Sequence, residues 1–128
     1  MRCIFKVELS NRKNMNNTQS SHLDRAFRIA SESSCRQKHG VVIAVGPRIL
    51  AVAVNTDRNH PDVCSDPRVE ASYHAEANAI RQLDGHDLKD ATLYSARVGR
   101  TGKRMLAKPC ERCESLIRDA GIRRYFHT

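Results

Sequence analysis

Two apolar runs in quick succession constrain this chain most. Val41-Val42-Ile43-Ala44-Val45 follows Gly40, and Ile49-Leu50-Ala51-Val52-Ala53-Val54 follows Gly46-Pro47-Arg48. Each run is apolar at successive rather than alternate positions, the pattern of a buried strand, and the first is rich in β-branched residues. The Gly-Pro pair between them is a turn signal, so the two strands form a β-hairpin. Around it, Leu23, Ala26, Phe27 and Ala30 fall at helical spacing, with Ser20 or Ser21 placed to cap the first turn. Ala75 to Leu83 reads as a short helix and Ala91 to Ala96 as a third strand. Cys110 to Ala120 reads as a helix stopped by Gly121, and Ile122 to His127 as a last strand. The closing strand-helix-strand unit should make a right-handed crossover between parallel strands. The expected fold class is α/β: three layers, with a mixed central sheet of about four strands and helices on both faces.

A length of 128 residues argues for one domain. Residues 10–20 are polar and read as a loop or disordered join; what precedes them is a short strand or an extension. Residues 1–19 are therefore set apart as an extension or disordered segment, and 20–128 as the folded domain. No apolar run approaches the roughly 20 residues of a membrane-spanning helix, and the first residues lack the apolar stretch of a secretory leader. Five cysteines, an odd number, argue against a disulfide framework and for a reducing compartment, so a cytoplasmic protein with no membrane partner is expected.

Lysine and arginine number 22 against 14 acidic residues, a formal charge of +8. Much of the excess lies from Arg97 to Thr128, where nine basic residues meet three acidic ones. Such a patch suits a phosphate-bearing partner, a nucleotide or a nucleic-acid backbone; a solvated basic face is the plainer reading.

The chemistry concentrates in two motifs, each at the start of an expected helix: His74-Ala75-Glu76 and Pro109-Cys110-Glu111-Arg112-Cys113. Alone, a Cys-x-x-Cys is half a zinc site, a redox pair or two buried cysteines, and a His two residues before a Glu means little. At the first turn of a helix, Cys110 and Cys113 share a face, and the helix dipole favours the thiolate that binds metal. Together, His74, Cys110 and Cys113 make three ligands for Zn²⁺. Three protein ligands leave a fourth position open, as in catalytic zinc sites. Water there has a pKa lowered to about 7, and Glu76 is placed to take its proton and pass it to a leaving nitrogen.

His-x-Glu followed by Pro-Cys-x-x-Cys is a signature of zinc deaminases of nucleobases. On these residues the chain resembles the cytidine deaminase-like superfamily over roughly residues 20–128. It looks most like small bacterial and phage cytidine or deoxycytidylate deaminases, in Cys35 to Ile43, Tyr73 to Ile80 and Lys108 to Cys113. The resemblance implies the cytidine deaminase-like fold, Zn²⁺ on His74, Cys110 and Cys113, and Glu76 as proton shuttle during attack on C4 of a cytosine ring. It implies that the Ala75 backbone N–H bonds the ring carbonyl and that Asn55 contacts sugar or base. It also implies association into a homo-oligomer. The basic connection from Arg97 to Lys108 is longer than in many relatives; Arg100, Lys103 and Arg104 in it are read as phosphate contacts. The expected activity is hydrolytic deamination of a cytosine nucleoside or nucleotide, of the deoxycytidine monophosphate or cytidine type. The alternatives are a deaminase of a polynucleotide (tRNA adenosine or single-stranded cytidine), with loop 97–108 on the nucleic acid, and a non-catalytic zinc-stabilised binding domain. His60 and Cys64 are read as part of a substrate-facing loop rather than as a second zinc site with Cys35 or His39. His22, His86 and His127 are read as surface or strand-end residues.

Overall fold

The computed structural model describes residues 8–9, 15–33, 35, 37–56, 74–107 and 111–128. The expectations for Tyr73, His60, Cys64, Lys108, Pro109 and Cys110 lie outside the described residues. The element order is β1 (Glu8–Leu9), α1 (Asn17–Ala30), β2 (Lys38–Val45), β3 (Arg48–Val54), α2 (Ala75–Arg81), β4 (Thr92–Val98), β5 (Arg104–Met105), α3 (Glu111–Asp119) and β6 (Arg124–His127). The strands form one mixed sheet in the order β1-β6-β4-β2-β3, with β5 paired to β4. The expected hairpin is β2–β3, turning at Gly46 with φ of 56°. The expected crossover is β4–α3–β6, whose two strands pair in parallel.

Alternation along the strands divides the core into two. Val41, Ile43, Leu93 and Tyr125 face α2 and α3, where they pack with Ala75, Ala79, Leu83 and Ile117. Val42, Ala44, Tyr94, Ala96 and Phe126 face the other way and pack on Leu23 and Ala26 of α1. Helices thus cover both faces, which is why β2 is apolar at every position from Val41 to Val45. α1 lies so close to β2 that a Cβ on Gly40 would meet the Ala26 carbonyl oxygen and stand 2.8 Å from the Ala30 nitrogen. Only glycine leaves room there.

Three features differ from expectation, and the segment ahead of α1 takes one of its two expected forms. α1 starts at Asn17, not Ser20, because Asn16 and Gln19 form a reciprocal capping box. The Asn16 side chain accepts from the Gln19 N–H at 2.7 Å, and the Gln19 side chain accepts from the Asn16 N–H at 3.1 Å. The segment ahead of the helix supplies a two-residue strand, β1, paired in parallel with β6. The connection after β4 turns back as a second hairpin, with Arg97 opposite Met105 and Val98 opposite Arg104. Gly99 donates to the Lys103 carbonyl at 2.8 Å, and Gly102 takes the positive φ that the turn needs. His22 is buried rather than on the surface; its Nε2 lies 2.8 Å from the Gly46 carbonyl and its ring packs on Tyr94. At the end of α3, Gly121 closes a Schellman turn as expected: its N–H reaches the Arg118 carbonyl, and Ile122 N–H reaches that of Ile117.

Candidate active site

The two helices on one face of the sheet bring the two motifs together. Asn78 Nδ2 donates to the Val54 carbonyl at 2.8 Å and Gln82 Nε2 to that of Val52 at 2.9 Å. These bonds run α2 along β3 with its first residues at the end of β3, beside Asn55. His74 is the N-cap of α2, but its side chain caps nothing. Its ring turns instead to the first turn of α3, where Nδ1 lies 3.0 Å from Cys113 Sγ. Cys113 is buried, and so is Glu76 in the first turn of α2, at 4% exposure. A carboxylate at that place is favoured by the positive end of the helix and disfavoured by burial.

This donor pair fits Zn²⁺. With Zn–N of about 2.0 Å and Zn–S of about 2.3 Å, a tetrahedral ion separates its nitrogen and sulfur donors by roughly 3.5 Å. The observed separation needs an opening of about half an ångström. Imidazole with thiolate is also the donor chemistry zinc favours. The third expected ligand, Cys110, lies outside the described residues; among them, no three His, Cys, Asp or Glu groups cluster as a metal site. Cys35, the other described cysteine, is buried and in no disulfide.

Ala75 is the first residue of α2, so its N–H has no acceptor within the helix. Asn55 is at the level of the site, but its amide holds the fold together. Oδ1 accepts from Ser33 Oγ at 2.6 Å and from the His39 N–H at 3.0 Å, while Nδ2 donates to the Gln37 carbonyl at 2.6 Å. One Nδ2 hydrogen remains beyond these bonds.

The three expected phosphate contacts of the basic hairpin stand in two different surroundings. The Arg104 guanidinium bonds Asp24 and lies 4.6 Å from the Phe27 ring centre. Both partners belong to α1, on the opposite face of the sheet from His74 and Cys113. Arg100 and Lys103 are exposed at the turn.

Two residues beside the site belong to no motif. His39 and Arg97 are directly opposed on β2 and β4. They share the face of Val41, Ile43 and Leu93, the one α2 and α3 cover. Burial chiefly, then the charges of Arg97 and His74, pushes the His39 imidazole down from 6.5 to about 4, so it is neutral at pH 7. Counting by twos from the apolar strand residues would have found both.

The model for the cytidine and deoxycytidylate deaminase zinc-binding region matches residues 16–128. The chain belongs to this deaminase family. No curated protein matches the chain by sequence. The deaminase fold is seen in solved structures. The dCMP deaminase of cyanophage S-TIM5 in complex with dCMP and dUMP aligns at a TM-score of 0.66 and 20% identity, over 89% of this chain and 83% of that one. Guanine deaminase from Bacillus subtilis aligns at 0.58 and 27% identity, over 89% of this chain and 64% of that one. Cytidine deaminase from Mycobacterium leprae aligns at 0.55 and 19% identity, over 80% and 79%. A deaminase family whose matching region binds zinc agrees with the donor pair of His74 and Cys113. Among the described residues no helix is long and apolar enough to cross a membrane.

Proposed function

We propose that the protein is a zinc-dependent hydrolytic deaminase of a cytosine nucleotide, of the deoxycytidine monophosphate type. The observation that carries this reading is His74 Nδ1 at 3.0 Å from Cys113 Sγ with Glu76 buried two residues along the same helix. His74, Cys113 and Cys110 would hold the metal. Zn²⁺ there would supply a Lewis acid and a water acidic enough to attack at neutral pH. Glu76 takes the proton of the attacking water, delivers it to N3 as C4 becomes tetrahedral, and helps protonate the departing amino group. Water is consumed, ammonia leaves, and the base becomes uracil. The Ala75 N–H is offered to the ring carbonyl, and the remaining Nδ2 hydrogen of Asn55 to the sugar or base.

A nucleotide is favoured by the charge of +8 and by relatives that include a dCMP enzyme. The exposed Arg100 and Lys103 favour a second reading, a polynucleotide substrate lying along the β4–β5 hairpin. The deciding experiment is a mass-spectrometric deamination screen of zinc-loaded protein. It covers cytosine, cytidine, deoxycytidine, their monophosphates, guanine, adenosine, single-stranded DNA and tRNA, with Glu76→Ala as control. Turnover of a monophosphate supports the first reading. Turnover only within a polymer, with steep salt dependence, supports the second. No turnover of any of these overturns both.

A further inference from the structure

Buried polar groups in folded proteins nearly always find a hydrogen-bond partner, so an orphan asks for an explanation. On the sheet face under α2 and α3 there are two on one strand. Ser95 Oγ and Arg97 Nε are both buried without a partner among the described residues. They stand at i and i+2 of β4, so both point to the same side. Arg97 is only part-buried as a residue, although its Nε is covered. Its backbone N–H is held by Thr128 Oγ1 at 3.1 Å, and its cross-strand partner on β2 is His39. His39 N–H in turn donates to Asn55 Oδ1 at 3.0 Å, at the end of β3 where Asn78 of α2 bonds the Val54 carbonyl. The guanidinium therefore sits on the sheet next to the residues that begin α2, with no carboxylate engaged among the described residues. Its neighbour Arg104, seven residues along the same hairpin, is already paired with Asp24.

We infer that Arg97 is the phosphate-binding residue of the active site, recognising the monophosphate of a nucleotide substrate through its guanidinium, whose Nε has no hydrogen-bond partner among the described residues. The inference rests on the deaminase reading above and names which residue selects a nucleotide over a nucleoside. A guanidinium offers a planar fork that matches two phosphate oxygens, which a lysine cannot reproduce. Placing it on a strand rather than at the exposed turn holds the fork rigid. It also puts the charge beside the chemistry, so phosphate binding can help align the base.

The test is calorimetric and needs no turnover. dUMP and deoxyuridine, then dGMP and deoxyguanosine, are titrated into zinc-loaded parent, Arg97→Ala, Arg97→Lys and Arg100→Ala. The expected result is that Arg97→Ala weakens dUMP roughly 10- to 100-fold and leaves deoxyuridine unchanged. Arg97→Lys should recover part of the loss, and Arg100→Ala should change little. Should the loss appear with dGMP and not deoxyguanosine, the residue assignment stands while the cytosine reading fails. An equal loss for nucleotide and nucleoside, no loss at all, or no binding of any nucleotide by the parent overturns the inference. Circular-dichroism melting of each variant separates a lost contact from a lost fold.

Discussion

His74 and Cys113, 39 residues apart in the chain, bring Nδ1 and Sγ to 3.0 Å. Each belongs to the start of its own helix, and the contact is made by side chains rather than by caps or backbone. Neither helix needs this contact for its own ladder, so the pairing has a purpose outside secondary structure. A zinc ion held between them, as proposed above, would give it that purpose. Cys113→Ala is expected to lose most bound metal and to lower the melting temperature. His74→Ala should do the same, whereas Glu76→Gln should keep metal and cost at least 100-fold in turnover, the ordinary worth of a general acid–base. Metal content by mass spectrometry, read beside activity, checks all three; full metal content in Cys113→Ala would break the ligand set.

Gly40→Ala should be among the most damaging single changes in the chain. The added methyl meets backbone on α1, which cannot swing aside as a side chain could. A cost of about 3 kcal/mol, the upper range for overpacking, is expected in urea unfolding. A loss below about 1 kcal/mol would show that α1 shifts freely on the sheet.

Asn55→Ala separates two roles that one residue can have. A residue that touches only substrate leaves the melting temperature alone. Here the amide joins Ser33, Gln37 and His39, so stability should fall by about 1–3 kcal/mol as those groups lose partners. Thermal unfolding without ligand gives the answer.

Arg104→Ala should leave nucleotide binding unchanged, since its guanidinium is engaged by Asp24 and Phe27 on α1. An exposed ion pair and one cation–π contact together are worth about 1 kcal/mol. A large rise in KM on this substitution would place the side chain in the site after all.

His39 predicts a pH effect on stability. Its folded pKa of about 4 lies below the ordinary 6.5. Between those values the unfolded chain binds a proton that the folded chain refuses, so this residue makes stability fall as pH drops from about 6.5 to about 4 and adds no further slope below. His39→Gln should flatten that part of the urea-unfolding profile relative to the parent. Parallel profiles would show that the imidazole titrates normally.

Much of the fold and of the site is legible in the amino-acid sequence. The β2–β3 hairpin is legible because a strand buried on both faces leaves no doubt in its apolar run. The crossover is legible because Gly121 stops α3 so cleanly, and the two motifs because each stands at the start of a helix, where His74 meets Cys113. The rest depends on partners distant in sequence. Ser20 and Ser21 look like caps, but Asn16 has Gln19 at the one spacing that closes a capping box. The strand β5 has two residues and no pattern of its own; β4 makes it a strand. The pairing of Arg104 is hidden because nothing local announces Asp24, and the structural bonds of Asn55 because nothing local announces Ser33. His39 and Arg97 become neighbours only through the register of β2 on β4.

The hairpin of β4 and β5 also has a consequence for how such a protein can diverge. The extra residues between Arg97 and Ala107 fold back on themselves and return to the sheet, where Ala107 N–H meets the Thr128 carbonyl at 2.8 Å. Residues can be added or removed at the tip around Arg100 to Lys103 without lengthening the span from sheet to α3. His74 and Cys113 keep their separation while the outer rim changes size and charge. Descendants of this chain could remodel the tip and leave the contact of His74 with Cys113 undisturbed.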